Sequence, residues 1–385
     1  MAEKRKLTKK QIRLRKRRRR RRRIVFALEI VILLLLVLGL VVFAKMDKMD
    51  FAELDFANIG INDGILNNQT MHGYTTIACV GLDKDSNGGS LARGNSDTMI
   101  VASINNDTKK VRLVSVYRDT YLRVGEDEEG NGKYGKANSA YQMGGAEQLL
   151  SMLNTNLDLN VQDFVTVDFS AVATVAELLG GIDMELKAEE VVHLNNYCVE
   201  TSEVTGMSYD KLEEVDGIHH LNGVQTVAYA RIRKTSGNDF RRAARQRAVI
   251  YALVGKAKNA DFATLNSIVD EVFPMIRTSL SKADIIKMGM AMLTYDIEEQ
   301  TGFPFDHLYG ENVKHALDGC DAVVPVTLES NVVKLHKFLY DVDNYQPSEA
   351  VKSYSQRIID KGGYDLDSQL DHSEDGSLAV YHAAQ

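Results

Sequence analysis

Residues 76–120 read TIACVGLDKDSNGGSLARGNSDTMIVASINNDTKKVRLVSVYRDT, and three short apolar runs within them decide the fold class. The first, 76–82, is short, rich in β-branched residues and followed by turn formers, which predicts a buried strand. The second, 98–104, runs into Asn105, Asn106 and Asp107, turn residues that join it to the third, 110–117, as a β-hairpin. Charges gather at the strand ends: Asp83 after the first, Asp97 before the second, Arg118 and Asp119 after the third. Charges at a strand end belong at the edge of a pocket.

Outward from this hairpin the chain alternates. Lys136 to Tyr141 open a helical region with Leu149, Leu150 and Leu153 as its buried stripe. A strand over 164–169 leads to a helix over 171–179, with Ser170 as its cap and Gly180 and Gly181 as its stop, and 182–186 returns as a strand. Residues 187–218 show no regular pattern. Asn222 caps a short helix through Tyr229, after which Arg231 and Arg233, two apart in extended chain, point to one side. Asp239 caps a helix over 240–259, on which Arg242 shares a face with Arg245 or Gln246. Helical spacing recurs at 262–275, 281–293 and 331–340, with a strand at 322–326. The expected fold is therefore α/β, a mixed central β-sheet with helices on both faces (an α-β-α sandwich). It extends over 71–346, followed by a polar, flexible tail at 347–385.

The amino terminus sets the compartment. Residues 1–23 contain 15 Lys or Arg and one acid, a basic cytoplasmic tail, and 24–44 are apolar apart from Glu29. That length matches the roughly 20 residues that cross a bilayer, and the cationic flank keeps the amino end in the cytoplasm. The sequence thus predicts a single-pass cell-membrane protein with a stalk at 45–70 and an extracellular domain beyond it. The polyarginine run beside the membrane reads as a topology signal facing anionic lipid, so no nucleic-acid partner is expected. Cys79, Cys198 and Cys320 lie far apart without metal-site spacing, and no pairing is favoured.

Charge then locates a site. Residues 24–385 hold 31 Lys and Arg against 52 Asp and Glu, yet 231–247, RIRKTSGNDFRRAARQR, packs six arginines and Lys234 against one acid, Asp239. Arginine forks suit phosphate oxygens, because they donate paired hydrogen bonds and keep their charge. A solvated basic helix face is the commoner outcome of such a run. Here Arg231 and Arg233 follow the apolar VQTVAYA directly, which ties them to a core. Adjacent strands bring Asp83 and Asp97 within reach of one cation, and magnesium favours carboxylates together with substrate phosphate. Arg118 with Asp119 reads equally as a structural ion pair or a phosphate contact, and Lys136 is open on the same terms. Serine-nucleophile, zinc-protease, Walker and dinucleotide motifs are absent.

Six blocks in order, Asp83, NSDTM (95–99), SVYRDT (115–120), KANSAY (136–141), LNGVQTVAYARIR (221–233) and NDFRRAARQR (238–247), closely resemble the LytR-CpsA-Psr family. The resemblance covers 71–255 strongly and implies a cell-envelope enzyme. Such an enzyme moves a glycopolymer, such as teichoic acid or capsular polysaccharide, from a polyprenyl-pyrophosphate carrier to a peptidoglycan acceptor. It implies Mg²⁺ on Asp83 and Asp97, pyrophosphate contacts from Arg118, Arg231, Arg233 and Arg242, and further polar contacts from Lys136 and Gln246. The catalytic set expected is Asp83, Asp97, Arg118 and Asp119, with Asp119 or another carboxylate taking the proton of the attacking hydroxyl. Two departures stand out: Asn95 occupies a position where many members have arginine, with Arg93 nearby, and Arg241 replaces a common glycine. The alternative is a membrane-anchored regulator that binds polyprenyl phosphate without chemistry, which needs the arginines but not both aspartates.

Overall fold

The computed structural model describes residues 43–82, 90–233, 238–368 and 370. The chain divides into two units, 1–48 and 49–385. In the first, the described residues 43–48 form a helical turn and its exit. The basic tail and nearly all of the apolar run expected to span the membrane lie outside the described residues. Among the described residues no helix is long and apolar enough to cross a membrane.

The second unit is built on strands β1 (Asp50–Phe51), β2 (Tyr74–Leu82), β3 (Ser96–Asn105), β4 (Lys110–Val116), β5 (Tyr121–Glu126), β6 (Gly132–Lys136), β7 (Asp163–Asp168), β8 (Ile182–Leu186), β9 (Gly217–Leu221), β10 (Ile276–Thr278) and β11 (Asp296–Phe303). Among the described residues a seven-stranded sheet runs β1-β10-β7-β2-β3-β4-β11. Beside its central strand β2 lies the expected hairpin β3–β4. The Asn105 side chain accepts hydrogen bonds from the Asp107 and Thr108 amides at 3.0 and 2.9 Å, closing the turn that sets the β3–β4 register. The sheet is mixed because β7 joins β2 in parallel and β11 joins β4 in parallel.

Alternation along the strands loads both faces. Val80, Leu82 and Val101 enter the larger core with helices α1 (Ser139–Leu157) and, nearer the carboxyl end, a helix over Leu328–Tyr340. Cys79, Ile100 and Leu113 face the other way and meet Ile250. The other longer helices are α2 (Phe169–Leu178), α3 (Ala188–Thr205), α4 (Gly223–Arg231), α5 (Asn238–Lys258), α6 (Phe262–Val272), α7 (Lys282–Ala291), α8 (the Leu328–Tyr340 helix) and α9 (Glu349–Gly362). Helices thus cover both faces of a mixed sheet. The β5–β6 and β8–β9 ladders stand apart from it as separate hairpin-like pairs.

Four expectations need correction. Residues 187–218 are not irregular: Val191, Leu194, Cys198 and Thr201 form the buried stripe of α3, a helical spacing diluted by Asn, Glu and His between them. The stalk is not free of the domain, because β1 joins the sheet edge and Ile59, 0 % exposed, enters the larger core. The tail after Pro347 begins with α9, where Val351 and Ile358 are 0 and 1 % exposed and so anchor a helix of strongly two-sided character. Residues 371–385 lie outside the described residues. Strand β11 escaped notice because it is a sheet edge with mostly polar residues, buried only at Gly302 and Phe303. All three cysteines are free thiols.

Candidate anion-binding site

The carboxyl end of β4 and the start of β3 meet at one rim of the sheet. The Asn138 backbone ties them there, its amide donating to the Arg118 carbonyl at 2.9 Å and its carbonyl accepting from the Ser96 amide at 3.4 Å. This brings Asp97, Arg118, Asp119 and Lys136 together. β2 ends at Leu82, paired with Ser96, and Asp83 itself lies outside the described residues.

From the basic stretch, Arg233 and Arg242 arrive to complete the cluster. Arg118 Nη1 donates to Asp97 Oδ1 at 2.9 Å and Arg233 Nη2 to Asp97 Oδ2 at 3.0 Å, while Arg242 Nη2 reaches the Asp97 carbonyl at 3.4 Å. Asp239 Oδ1 lies 3.0 Å from Arg242 Nη1, 3.7 Å from Arg233 Nε and 3.8 Å from Arg118 Nε. Asp119 Oδ1 is 3.6 Å from Arg118 Nε and 3.5 Å from Lys136 Nζ. Four cations therefore surround three carboxylates.

Burial by itself would raise the Asp97 carboxyl, but the charges of Arg242, Arg118 and Arg233 outweigh it and hold the group below the ordinary carboxylate range. Arg242 is only 4 % exposed, and burial pulls its guanidinium down to about 10. Its Nε and Nη1 have no hydrogen-bond partner, nor has Nε of Arg118. The short Arg242–Asp239 approach is thus an ion pair without hydrogen-bond alignment. Buried guanidinium N–H groups left unsatisfied are rare and mark a place where an acceptor is received.

Next to this cluster opens a cavity of about 180 Å³ with an almost wholly apolar lining that includes Ile100, Val167, Val172, Val249 and Leu253. Thr98, adjoining Asp97, and Gln246, one turn along α5 from Arg242, also line it. A charged mouth on an apolar cavity suits an amphiphile with an anionic head.

The other arginines of the basic stretch go elsewhere. Arg231 closes α4 instead of lying in extended chain, and its guanidinium holds Glu200 at 2.7 Å and Thr201 at 3.0 Å, 4.8 Å over the Phe169 ring that lines the cavity. Arg245 is 0 % exposed and binds Glu190 and the Ile232 carbonyl, a structural pair that ties α5 to α3. Arg93 is exposed and Asn95 half-buried. Asp239, expected as a helix cap, sits inside the first turn of α5 with its carboxylate among three arginines. The signal for it was in the sequence, as the one acid of a basic run.

A magnesium ion can be tested against the donors present. Among the described residues no group of three His, Cys, Asp or Glu stands close enough to hold a metal. Magnesium bound through substrate phosphates needs only one or two carboxylates. Each Asp97 oxygen accepts one guanidinium hydrogen bond and keeps a lone pair, so the donor chemistry fits.

The chain is 29 % identical over 217 residues to the polyisoprenyl-teichoic acid–peptidoglycan teichoic acid transferase TagU of Enterococcus faecalis, a match covering 56 % of this chain and 64 % of that protein. It is 27 % identical over 199 residues to TagV of Bacillus subtilis, covering 49 % of this chain and 46 % of TagV. The matches thus span about half to two thirds of these relatives. Two solved structures share the fold: gbs0355 of Streptococcus agalactiae, with a TM-score of 0.56 and 21 % identity over 74 % of this chain and 93 % of that one, and a protein of Enterococcus faecalis described as a transcriptional regulator, with a TM-score of 0.53 and 20 % identity over 78 % and 99 %. The model of the LytR_cpsA_psr family matches residues 47–317, and the chain belongs to that family.

Proposed function

We propose that this protein is a membrane-anchored extracytoplasmic phosphotransferase. It joins a glycopolymer, such as teichoic acid or a wall or capsular polysaccharide, from a polyprenyl-pyrophosphate carrier to peptidoglycan. The observation that carries the reading is the set of unsatisfied, buried guanidinium donors on Arg118 and Arg242 beside Asp97, whose neighbour Thr98 lines an apolar cavity. A pyrophosphate supplies the missing acceptors, and a polyprenyl chain fills the apolar space. The names of the curated relatives add support, since they describe transfer from a polyisoprenyl carrier to peptidoglycan.

The residues divide the work by position. Arg118 and Arg233 each spend one N–H group on Asp97 and have further donors for phosphate oxygens. Arg242, preorganised and shielded from water, stabilises charge that grows on the pyrophosphate, where a fixed donor is worth most. A hydroxyl of the acceptor sugar forms a bond to the phosphorus that bears the glycan, the bond from that phosphorus to the bridging oxygen breaks, and polyprenyl phosphate leaves. Asp119, beside Lys136 and Arg118, receives the hydroxyl proton. Mg²⁺ held by Asp97, with Asp83 as its partner, would neutralise pyrophosphate charge. Residues 24–44 anchor the chain, with the amino terminus in the cytoplasm and the domain outside.

The test uses the full-length chain in detergent with a polyprenyl-pyrophosphate glycan and a peptidoglycan oligomer, with and without Mg²⁺, and mass spectrometry of the product. Joined, metal-dependent product that falls at least about a hundredfold in Asp97→Asn, while lipid binding persists, is expected. Lipid bound without product across several glycans and acceptors would replace this reading with that of a lipid-phosphate-binding regulator.

A further inference from the structure

The β5–β6 hairpin carries a second recognition surface that the anion site does not use. Register places Tyr121 opposite Lys136 and Arg123 opposite Tyr134, so these four side chains share one face of the hairpin. The opposite face, with Leu122 and Val124 at 0 and 1 % exposure, is sealed into the larger core, Tyr121 is 9 % exposed at the edge of that core, and Tyr134 packs half-buried against it. Helix α9 lies along the outer face: Arg123 stands 5.2 Å over the Tyr354 ring, and Tyr354 meets Tyr134 edge-on. Between hairpin and helix is a groove of about 350 Å³ lined by Tyr121, Tyr134, Arg357, Asp360 and Lys361. The Tyr121 and Tyr134 rings stack at 6.2 Å between centroids. Arg357 is exposed and makes no ion pair among the described residues.

Aromatic faces flanked by a guanidinium, a carboxylate and an ammonium are the chemistry of saccharide recognition. The rings cover the apolar C–H face of a sugar, and the polar groups bond its hydroxyls and amides. The groove also leads to the reacting centre. Lys136, which pairs with Asp119, is two residues from Tyr134 on β6, about 7 Å along a strand. We infer that this groove is the acceptor subsite, holding the peptidoglycan glycan strand so that its hydroxyl meets Asp119. This inference rests on the transferase reading above.

The sheet decides between acceptor and donor glycan. The apolar cavity is lined by Cys79 and Ile100, on the sheet face that meets Ile250, whereas the hairpin packs with Leu82 and Val101 on the opposite face. Lipid and groove thus reach the charged rim from opposite sides. In an in-line displacement the attacking oxygen enters opposite the leaving one. With polyprenyl phosphate departing on the cavity side, the hairpin side receives the nucleophile.

Tyr134→Ala and Arg357→Ala in the full-length chain test this, with Arg357 exposed and outside the core. The probe is a soluble peptidoglycan glycan oligomer released by a muramidase, its binding followed by saturation-transfer NMR without donor and its KM by product formation. Each variant should weaken oligomer binding and raise acceptor KM about threefold to tenfold, the range one lost aromatic face or polar contact gives, with kcat and affinity for bare polyprenyl pyrophosphate unchanged. Unchanged oligomer binding and KM in both variants overturns the subsite while the transferase reading stands. Weaker binding of the glycan-bearing carrier alone overturns it in favour of the donor glycan. If the wild type makes no product, the transferase reading and the acceptor role fall together, while loss of oligomer binding in both variants still marks the groove as a glycan-binding surface.

Discussion

Replacing Arg242 by methionine tests whether the cluster is shaped around an anion at the expense of its own stability. The guanidinium is 4 % exposed, with Nε and Nη1 unsatisfied. Its fall from 12.5 to about 10 corresponds to a penalty of about 3 kcal/mol on the charged form in the folded state, net of the attraction of Asp239 and Asp97. At neutral pH the group is charged both folded and unfolded, so the whole penalty opposes folding, and it fades only as pH rises from about 10 toward 12.5. Methionine keeps the apolar stem without the charge. Some of the gain is lost because the Asp97 carbonyl loses the hydrogen bond from Nη2 and the shorter side chain leaves space unfilled, leaving a net stabilisation of about 1–2 kcal/mol, or a rise of about 2–5 °C in Tm. Binding moves the other way: each charge-assisted hydrogen bond to phosphate is worth about 1.5–3 kcal/mol, so affinity for polyprenyl pyrophosphate should drop about tenfold to a hundredfold. Thermal unfolding of wild type and variant, with and without the lipid, measures both. A variant that melts several degrees lower without ligand, or binds the lipid as tightly as wild type, refutes the reasoning.

Two further predictions concern the frame around the site. A Cβ at Gly302 on β11 would overlap the Tyr117 hydroxyl, and Tyr117 leads directly into Arg118, so Gly302→Ala should cost about 1–3 kcal/mol in urea unfolding. Adding Tyr117→Phe removes only the hydroxyl and leaves two ring carbons overlapping the added Cβ, so it should restore less than half of that loss. His336 on α8 is 0 % exposed, hydrogen-bonded to the Leu157 carbonyl at 3.0 Å and stacked on Tyr345, and burial pulls its imidazole down to about 4. The unfolded chain binds the proton more readily, so stability is full above the unfolded value of about 6.5 and declines by about 3 kcal/mol as pH falls toward 4. His336→Leu should flatten that part of the urea-midpoint profile between pH 7 and 4.5, and an unchanged slope would assign the acid loss to other groups.

The order of blocks and the strand-end placement of Asp97, Arg118 and Asp119 were legible because they depend on local pattern. Short β-branched runs, turn residues at 105–107 and apolar spacing in α1 each encode their element within a few residues. Patterns weakened by context were not legible: α3 hides its stripe among polar residues, β11 lies at an edge with little to bury, and α9 follows a proline and a polar run. Cysteine positions stated nothing about pairing, and the thiols are free.

Within the site the same boundary holds. A basic knot around one acid announced an anion, and the sequence alone carried that much, because composition fixes charge. Which arginines take part is a matter of partners far along the chain: Glu190 claims Arg245 and Glu200 claims Arg231, while Arg233 and Arg242 join Arg118 around Asp97 and Asp239. Four arginines with the same intrinsic chemistry thus divide between scaffold and site. A guanidinium pairs with whichever carboxylate the packing of α3, α4 and α5 sets within about 3 Å of it, and that distance is decided only when the helices dock.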